Sequence, residues 1–330
     1  MTTAEVLSAP RAAGVRVPDF FIVGHHKSGT SALYEMLKGH PQIFLCSPKE
    51  PRYMASDMRE RFAQPRERRH PQTLDEYLAL FADATPEQRA GEASATYLWS
   101  HTAAARIAEL QPAARIIAIL REPASFLHSL HLTYVRAHVE SERDLRKAIA
   151  LEAERREGRH IPRRSHLPQL LQYSDQVRYV EQLRRYHDHF PPEQVLVLIY
   201  DDFRAHNERT VRTVLRFLDV DDTAPIELVD TNVTRRTVRS HQADDLVYSV
   251  SLGRGRLASI ANAALKSVTT RQLRHGAIRA ARRQVVLRSA PAPDDDVMLE
   301  LRRRFKPEVI ALSDYLDRDL VRLWGYAELG

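Results

Sequence analysis

The sequence predicts a single α/β domain in which helices cover both faces of a central parallel sheet. Three apolar runs have the length of strands, and each is followed by a segment with helical spacing of its apolar residues. They are Phe20–Val23, Arg115–Leu120 and Val195–Tyr200. Strands that alternate with helices along most of the chain favour crossover connections and therefore parallel pairing. At 330 residues without an internal repeat, the chain can bury one large core.

The first strand and helix have clear limits. Phe20–Val23 is bulky enough to be buried on both faces of a sheet, and Gly24 ends it. After the loop 25–29, the segment Thr30–Leu37 has the periodicity of a helix that Thr30 or Ser31 can cap and Gly39 ends. The sequence therefore predicts a strand, a loop containing glycine, and a helix N-terminus in succession.

The other predicted elements follow from the same patterns. The segment after Pro123 predicts a helix from Ala124 onward. The remaining predictions are a strand at Gln42–Cys46 and helices at Leu74–Phe81, Leu170–Phe190, Glu208–Leu218 and Val297–Tyr326.

Composition is that of an ordinary ordered domain. Hydrophobic residues make up 43% of the chain and charged residues 28%, which argues against a disordered chain. Cys46 is the only cysteine, so an internal disulfide is excluded. The apolar runs are far shorter than a membrane span. The formal net charge of +6 permits an anionic ligand but does not by itself identify one.

We divide the chain into a flexible leader, residues 1–18, and one domain, residues 19–330. The leader carries an acidic Glu5 and has no sustained apolar stretch of the kind found in signal peptides, so we expect a cytoplasmic protein. Within the domain, residues 253–293 contain nine basic residues and no acidic residue. This basic insertion is either a mobile flap over the site of the second substrate or a solvated helical face.

The loop after the first strand has the properties of an anion site. Successive backbone N–H groups at a helix start point at one spot, and the helix dipole favours negative charge there. Lys27 adds a full positive charge, and Gly29 permits a close approach of the backbone. The order differs from the Walker A loop, because Lys27 precedes the glycine by two residues.

A second phosphate site is predicted after the strand Arg115–Leu120. Arg121 stands at the carboxyl end of that strand, and Ser129 lies eight residues later on the following helix. A guanidinium and a hydroxyl in these positions can converge on one phosphate group.

Together these two motifs resemble those of the sulfotransferases that use 3′-phosphoadenylyl sulfate (PAPS). The family's phosphosulfate loop reads K-[ST]-G-[TS]-[TS] after a buried strand, and its 3′-phosphate motif reads R-[DE]-P with a serine eight residues after the arginine. The resemblance implies a P-loop-like fold and transfer of a sulfuryl group from PAPS to an acceptor, with release of 3′,5′-adenosine bisphosphate (PAP). It implies that the nucleotide is bound by Lys27, Ser28, Gly29, Thr30, Ser31, Arg121 and Ser129.

The segment Ser47–Met54 is similar to the K-E-x-x-[FY]-[FM] segment of bacterial and Golgi-type carbohydrate sulfotransferases. In that branch the glutamate is the general base, so the resemblance implies that Glu50 deprotonates the acceptor and that Lys27 stabilises the leaving group. The segment beginning Gly91-Glu92 also resembles the family, but Ala93 stands where many members carry lysine. Whether another basic residue compensates for Ala93 stays open.

Two further sets of residues are candidates for the site. Arg239 follows an N-x-[ST] segment, as in bacterial members of the family, and the resemblance implies a contact to the 3′-phosphate. Cytosolic family members use a histidine base, and His128 or His131 would be the alternative to Glu50. No histidine pair has convincing spacing for a metal site, so we expect no metal cofactor.

Two other functions compete with sulfotransfer. A kinase or ATPase that uses a nucleoside triphosphate would require a Walker A order, which this loop lacks. A nucleic-acid-binding protein is suggested only by the charge and the basic insertion, and no nucleic-acid-binding module is recognisable. The acceptor could be a sugar, a glycosylated secondary metabolite or another small molecule. The sequence does not indicate the oligomeric state.

Overall fold

The computed structural model describes residues 16–58, 70–162, 165, 167–229, 236–238, 287–289 and 293–329. Within these residues, one sheet contains five strands, which are β1 Phe20–Gly24, β2 Ile43–Leu45, β3 Arg89–Ala93, β4 Arg115–Leu120 and β5 Val195–Ile199. Their order across the sheet is β2-β3-β1-β4-β5, and every pairing is parallel. The predicted parallel α/β fold is therefore confirmed.

The register places β1 at the centre of this sheet. Phe20 pairs with Gly91 of β3 on one side and with Arg115 of β4 on the other. The carboxyl ends of β1, β3 and β4 consequently meet at one edge, which is where ligands bind in open α/β sheets. Two short strands, β6 Arg236–Val238 and β7 Leu287–Ser289, form a separate antiparallel pair.

Helices connect these strands. The first four helices in the chain are α1 Thr30–Lys38, α2 Leu74–Leu78, α3 Ala103–Leu110 and α4 Pro123–Arg136. They are followed by α5 Leu145–Ala150, α6 Glu152–Arg156, α7 Tyr179–His187, α8 Tyr200–Ala205, α9 Asn207–Phe217, α10 Asp295–Tyr315 and α11 Leu320–Leu323. Single 3₁₀ turns lie at Ala79–Phe81, Pro168–Leu171, Ser174–Val177 and Pro192–Gln194.

The two faces of the sheet bury separate apolar cores. Alternate residues of β1 point to opposite faces, so Phe20 and Ile22 belong to one core and Phe21 and Val23 to the other. The helices α1 and α9 cover the first core, and α3, α4, α7 and α10 cover the second. Helices on both faces explain why β1 is apolar throughout and β4 is apolar after Arg115.

Strand β3 was not predicted. Its sequence, Arg-Ala-Gly-Glu-Ala, contains residues that are uncommon in strands. Gly91 is needed because the ring of Phe20 fills the space above it: a Cβ at this position would lie 2.3 Å from a ring atom. Glu92 is tolerated because its carboxylate accepts a hydrogen bond from the buried Tyr77 hydroxyl at 3.0 Å.

Two predicted helices are shorter than expected. The predicted helix 170–190 contains two 3₁₀ turns before α7, because the Gln176 side chain binds the Leu170 carbonyl and Glu152 accepts from the Ser174 backbone. The predicted helix 297–326 ends at Tyr315, and the chain turns through Asp317 at a φ of 48° before α11 begins. In both places polar contacts replace the continuing helical pattern.

The predicted leader and basic insertion lie mainly outside the described residues. In the described part of the leader, Arg16 donates to the Asp19 carboxylate at 2.7 Å and to the carbonyl of Gln88. Of the insertion, only residues 287–289 and 293 are described, so both boundaries and the flap stay predictions. No helix in the described ranges is long and apolar enough to cross a membrane.

Candidate active site

The loop between β1 and α1 holds the helix N-terminus open for a ligand. Gly29 is the N-cap at a φ of 94°, and it has no side chain that could cap the helix amides, contrary to the predicted cap at Thr30 or Ser31. A Cβ at Gly29 would lie 3.0 Å from the ring of Phe203. Ser28 and Thr30 are buried, whereas the Ser31 side chain is exposed. The first helix amides therefore remain available to an anion.

Arg121 connects the two predicted phosphate motifs. Its Nη1 donates to the carbonyl of Lys27 at 2.9 Å, and its guanidinium lies 4.8 Å from the centre of the Tyr200 ring. Burial and, to a smaller extent, the charges of Arg136 and Arg121 lower the pKa of Lys27 to about 8. Three cations are thus gathered beside the loop, an arrangement that favours a multiply charged anion.

Ser129 provides a second feature suited to a phosphate. It is buried on α4 at 4% exposure, and its hydroxyl has no hydrogen-bond partner among the described residues. Buried polar groups normally have partners, so this hydroxyl fits a site that a ligand oxygen completes. Glu122 caps the same helix by accepting from the amides of Ala124 and Ser125. The backbone of β6 lies next to α4, whereas Arg239, just beyond β6, is outside the described residues.

Glu50 lies beside the phosphosulfate loop. Its carboxylate is 3.9 Å from Nδ1 of His26, and it accepts from Lys49 Nζ at 3.2 Å and from Arg52 Nη2 at 2.6 Å. Burial by itself would raise the pKa of Glu50. His26 and the two cations outweigh burial and hold that pKa well below its usual range, so the group is a carboxylate at neutral pH.

The backbone of this segment is fixed to the end of β3. Glu50 and Arg52 both adopt left-handed conformations, at φ values of 62° and 56°. The Glu50 amide donates to the carbonyl of Ala93 at 3.0 Å, and the Arg52 amide donates to Ser94 Oγ at 3.1 Å. These contacts compensate for the unfavourable conformations of two residues that are not glycine.

Comparison with known proteins identifies the family. The family model for the sulfotransferase family matches residues 18–224. The chain belongs to the sulfotransferase family. The predicted resemblance is confirmed over more than half of the sequence.

Relatives in this family include carbohydrate sulfotransferases. Human carbohydrate sulfotransferase 15 is 30% identical over 158 residues, covering 36% of this chain and 27% of that protein. Human bifunctional heparan sulfate N-deacetylase/N-sulfotransferase 3 is 28% identical over 213 residues, covering 62% of this chain and 22% of that protein. The chain therefore spans about a quarter of the length of these relatives.

A solved structure shows the same fold along almost the whole chain. The sulfotransferase from Alicyclobacillus acidocaldarius is similar with a TM-score of 0.66 and 24% identity, covering 94% of this chain and 99% of that one. At this identity the likeness concerns the fold.

His25 supports the loop between β1 and α1 from the protein interior. The Gln182 amide donates its Nε2 hydrogens to the carbonyls of Asp175 and Gln176, so its oxygen is the acceptor from His25 Nε2 at 2.6 Å. Burial lowers the pKa of His25 to about 4, so the ring is neutral. His25 therefore acts as a hydrogen-bonded support of the loop.

The alternative histidine bases are placed differently from Glu50. His131 is buried, with one ring nitrogen 3.1 Å from the Tyr173 hydroxyl and the other 3.1 Å from the Arg143 carbonyl. Both ring nitrogens of this α4 residue therefore have partners inside the protein. His128 is less enclosed, and burial lowers its pKa. No group of three potential metal ligands occurs in the described part of the chain, and the expectation of a metal-free site stays a prediction.

Sequence reasoning did not identify three residues of this region. Gln182 and Arg136 come from helices whose sequences give no functional signal, and Arg52 occupies a position that the family motif leaves open. Only for Arg52 was a signal present, since it stands two residues after the candidate base Glu50.

Proposed function

We propose that this protein transfers the sulfuryl group of PAPS to a hydroxyl group of a carbohydrate or another small molecule. The observation that carries the proposal is the link between the two phosphate motifs. Arg121 donates to the carbonyl of Lys27, and it lies just before α4, the helix that carries the buried, unpartnered hydroxyl of Ser129. A site with two anion-binding centres suits a nucleotide phosphorylated at both its 5′ and 3′ positions.

The two anion-binding centres would bind different groups of the nucleotide. The amides from Gly29 to Ser31 would hold the 5′-phosphosulfate, with the hydroxyls of Ser28, Thr30 and Ser31 as further donors. Arg121 and Ser129 would hold the 3′-phosphate, and Arg239 would join them as the sequence predicts.

In the reaction, the acceptor oxygen would form a bond to sulfur as the bond from sulfur to the bridging phosphate oxygen breaks. The acceptor's proton would pass to Glu50, and the ammonium of Lys27 would stabilise the negative charge that develops on the bridging oxygen of PAP. A chemical scheme of this kind parallels phosphoryl transfer, in which positioning and charge stabilisation dominate.

A carbohydrate acceptor is favoured by two observations. The relatives named above are carbohydrate and heparan sulfate sulfotransferases. Glu50 is ionised and lies next to the loop, so it is placed to accept the proton of an alcohol acceptor. A glycosylated secondary metabolite would offer the same kind of hydroxyl, and the cytoplasmic location expected from residues 1–18 would suit it.

Nucleotide binding tests the proposal directly. Calorimetry should show that PAP binds more tightly than AMP or ATP, because Arg121 and Ser129 bind the 3′-phosphate, which AMP and ATP lack. Arg121→Ala should weaken PAP binding by about 1.5–3 kcal/mol, the range for hydrogen bonds to charged groups, and leave AMP binding nearly unchanged. Equal losses for PAP and AMP would assign Arg121 a structural role. Preference for ATP over PAP would favour the kinase or ATPase alternative.

A further inference from the structure

Glu92, on β3, is a buried carboxylate that the proposed reaction does not use. It has no exposed surface, and its partners in the described part of the chain are hydroxyl groups. Tyr77 donates to Oε1 at 3.0 Å, Ser94 donates to Oε2 at 3.3 Å, and the Tyr97 hydroxyl is a further hydrogen-bond partner. Burying a carboxylate among neutral groups is costly, so the packing of β3 alone does not account for it.

Two of these hydroxyls connect Glu92 to residues 50–54, the segment that carries the candidate base. Ser94 Oγ accepts from the Arg52 amide at 3.1 Å, and the Tyr97 hydroxyl accepts from the Met54 amide at 3.1 Å. A hydroxyl has one proton to donate, so giving that proton to Glu92 leaves its lone pairs for the amide. The carboxylate thereby determines the orientation of both hydroxyls.

We propose that Glu92 is a positioning residue for Glu50. By orienting the two hydroxyls, it holds residues 50–54 in the conformation that places the base beside the phosphosulfate loop. Two residues of this segment have positive φ values, 62° and 56°, and such a backbone persists only where its surroundings fix it. The inference rests on the proposed sulfotransfer and adds a residue that acts on the base through other side chains.

The ionisation of Glu92 should control how firmly the segment is held. Burial and, to a smaller extent, the charge of Glu50 raise the pKa of Glu92 to about 7, although hydroxyls donate to the carboxylate. Above pH 7 the carboxylate accepts these hydrogens. Below pH 7 it carries its own proton and donates it to one of the hydroxyl oxygens, which then loses the acceptor for its own hydrogen. The segment should therefore be held more weakly below pH 7 than above it.

The other ionisable groups around Glu92 in the described structure titrate far from neutral pH. Despite burial, neighbouring cations hold the pKa of Glu50 well below its usual range, and burial lowers that of His26, which faces Glu50, to about 4. Burial raises the pKa of the remaining four well above neutrality; these are Cys46, Tyr77, Tyr97 and Tyr186. A change centred near pH 7 is thus assigned to Glu92.

Amide hydrogen exchange measured by NMR tests the positioning without any ligand. At about pH 8, Glu92→Gln should accelerate exchange of the Arg52 and Met54 amides about tenfold, because a glutamine amide has one acceptor oxygen where the carboxylate has two. The Leu98 amide, which donates to the Val23 carbonyl at 2.7 Å, is the internal reference and should keep its wild-type rate. Equal acceleration at Leu98 would reduce Glu92 to a general structural role.

Glu152→Gln is the matched control. Glu152 is also a buried carboxylate that accepts from a serine hydroxyl, that of Ser174 at 2.7 Å, but it lies on α6. Its substitution should lower the free energy of unfolding and leave exchange at Arg52 and Met54 unchanged. Faster exchange at these two amides in Glu152→Gln would overturn the inference, because any loss of stability would then loosen the segment.

The pH dependence of exchange supplies a second measurement. In wild type, protection of the two amides should fall below pH 7, and in Glu92→Gln it should be low at every pH. Tyr77→Phe should move the midpoint to higher pH, because the ionised carboxylate loses a donor while the ring that stacks on Tyr53 is kept. An unchanged midpoint in Tyr77→Phe would contradict the proposal even if Glu92→Gln does not fold. So would a midpoint that persists in Glu92→Gln.

Turnover measures the consequence for the reaction. Release of PAP and sulfate from PAPS with water as the acceptor requires no identified substrate. Glu92→Gln should lower kcat about tenfold and leave the Kd of PAP within about twofold, because the residue acts on the base and not on the nucleotide. A parallel loss of PAP affinity would argue against positioning of the base. A wild type that does not bind PAP would refute the proposed function, and the exchange measurements would still decide the role of Glu92.

Discussion

At the scale of single residues, the site depends on charges whose properties differ from those of free amino acids. Lys27 is a cation that burial and two arginines make easier to deprotonate, and Glu50 is a carboxylate that neighbouring cations make harder to protonate. The first shift reflects a buried cation whose charged neighbours are other cations, which a bound anion would neutralise, and the second keeps the candidate base ionised.

The lowered pKa of Lys27 predicts a pH dependence of PAP binding. Below pH 8 Lys27 is mostly protonated in the free protein, so this residue adds little pH dependence to PAP affinity there. Above pH 8 the free protein loses this proton, but a bound phosphate raises the pKa, so binding must take up a proton. Affinity should therefore fall with rising pH, by up to about tenfold per pH unit.

Lys27→Arg provides the control for this measurement. A guanidinium stays protonated throughout the range, and the phosphates of PAP are fully ionised above pH 8, so the variant should show no decline. A decline of the same slope in Lys27→Arg would show that another group titrates.

At the scale of elements, the junction between β1 and α1 depends on a conformation that few residues adopt. Gly29 has a positive φ and lies against Phe203 of α8, so its missing Cβ satisfies a backbone and a packing requirement together. Gly158 also has a positive φ, at 83°, but a Cβ there would meet nothing within 4 Å. Both glycines therefore meet the same backbone requirement, a positive φ, but only Gly29 also meets a packing requirement.

Substitution of these glycines should separate the two effects. Gly158→Ala should lower the free energy of unfolding by about 1–2 kcal/mol, the cost of a left-handed alanine, and leave PAP binding unchanged. Gly29→Ala should lower it further, by about 1–3 kcal/mol for the contact with Phe203, and should abolish PAP binding. Thermal unfolding and calorimetry would measure both quantities. Normal PAP binding by Gly29→Ala would contradict the proposed role of the loop.

At the scale of the whole molecule, the C-terminal segment supports the 3′-phosphate motif. The Tyr326 hydroxyl donates to Glu122 Oε1 at 2.5 Å, and Trp324 Nε1 donates to Asp201 at 2.9 Å. Glu122 in turn caps α4, the helix that carries Ser129. Residues more than two hundred positions apart in the chain therefore fix the orientation of one binding element.

Tyr326→Phe should reveal this connection. Removing the hydroxyl leaves a buried carboxylate without one of its donors, which should lower the free energy of unfolding by about 1–3 kcal/mol and weaken PAP binding. Tyr315→Phe is the control, because that ring is half-buried and lies tilted against the ring of His187, with a centroid separation of 6.0 Å. Identical stability and PAP affinity in Tyr326→Phe and wild type would show that α4 is positioned without the C-terminal segment.

The sequence by itself determined the features that local pattern encodes. Buried parallel strands are continuous apolar runs, so β1, β4 and β5 were predicted within a residue of their observed bounds. The loop around Lys27 and the pair Arg121 and Ser129 were recognisable because each motif is contiguous or lies on one helix.

Tertiary structure alone decided the features that depend on a distant partner. Strand β3 is polar in sequence and is stabilised by Tyr77 and the ring of Phe20, and His25 meets Gln182 across 157 positions. The direction of the Arg52 side chain likewise follows from a backbone fixed at Ser94. A buried polar group is acceptable only with its partner in place, and no local pattern states which distant residue that partner is.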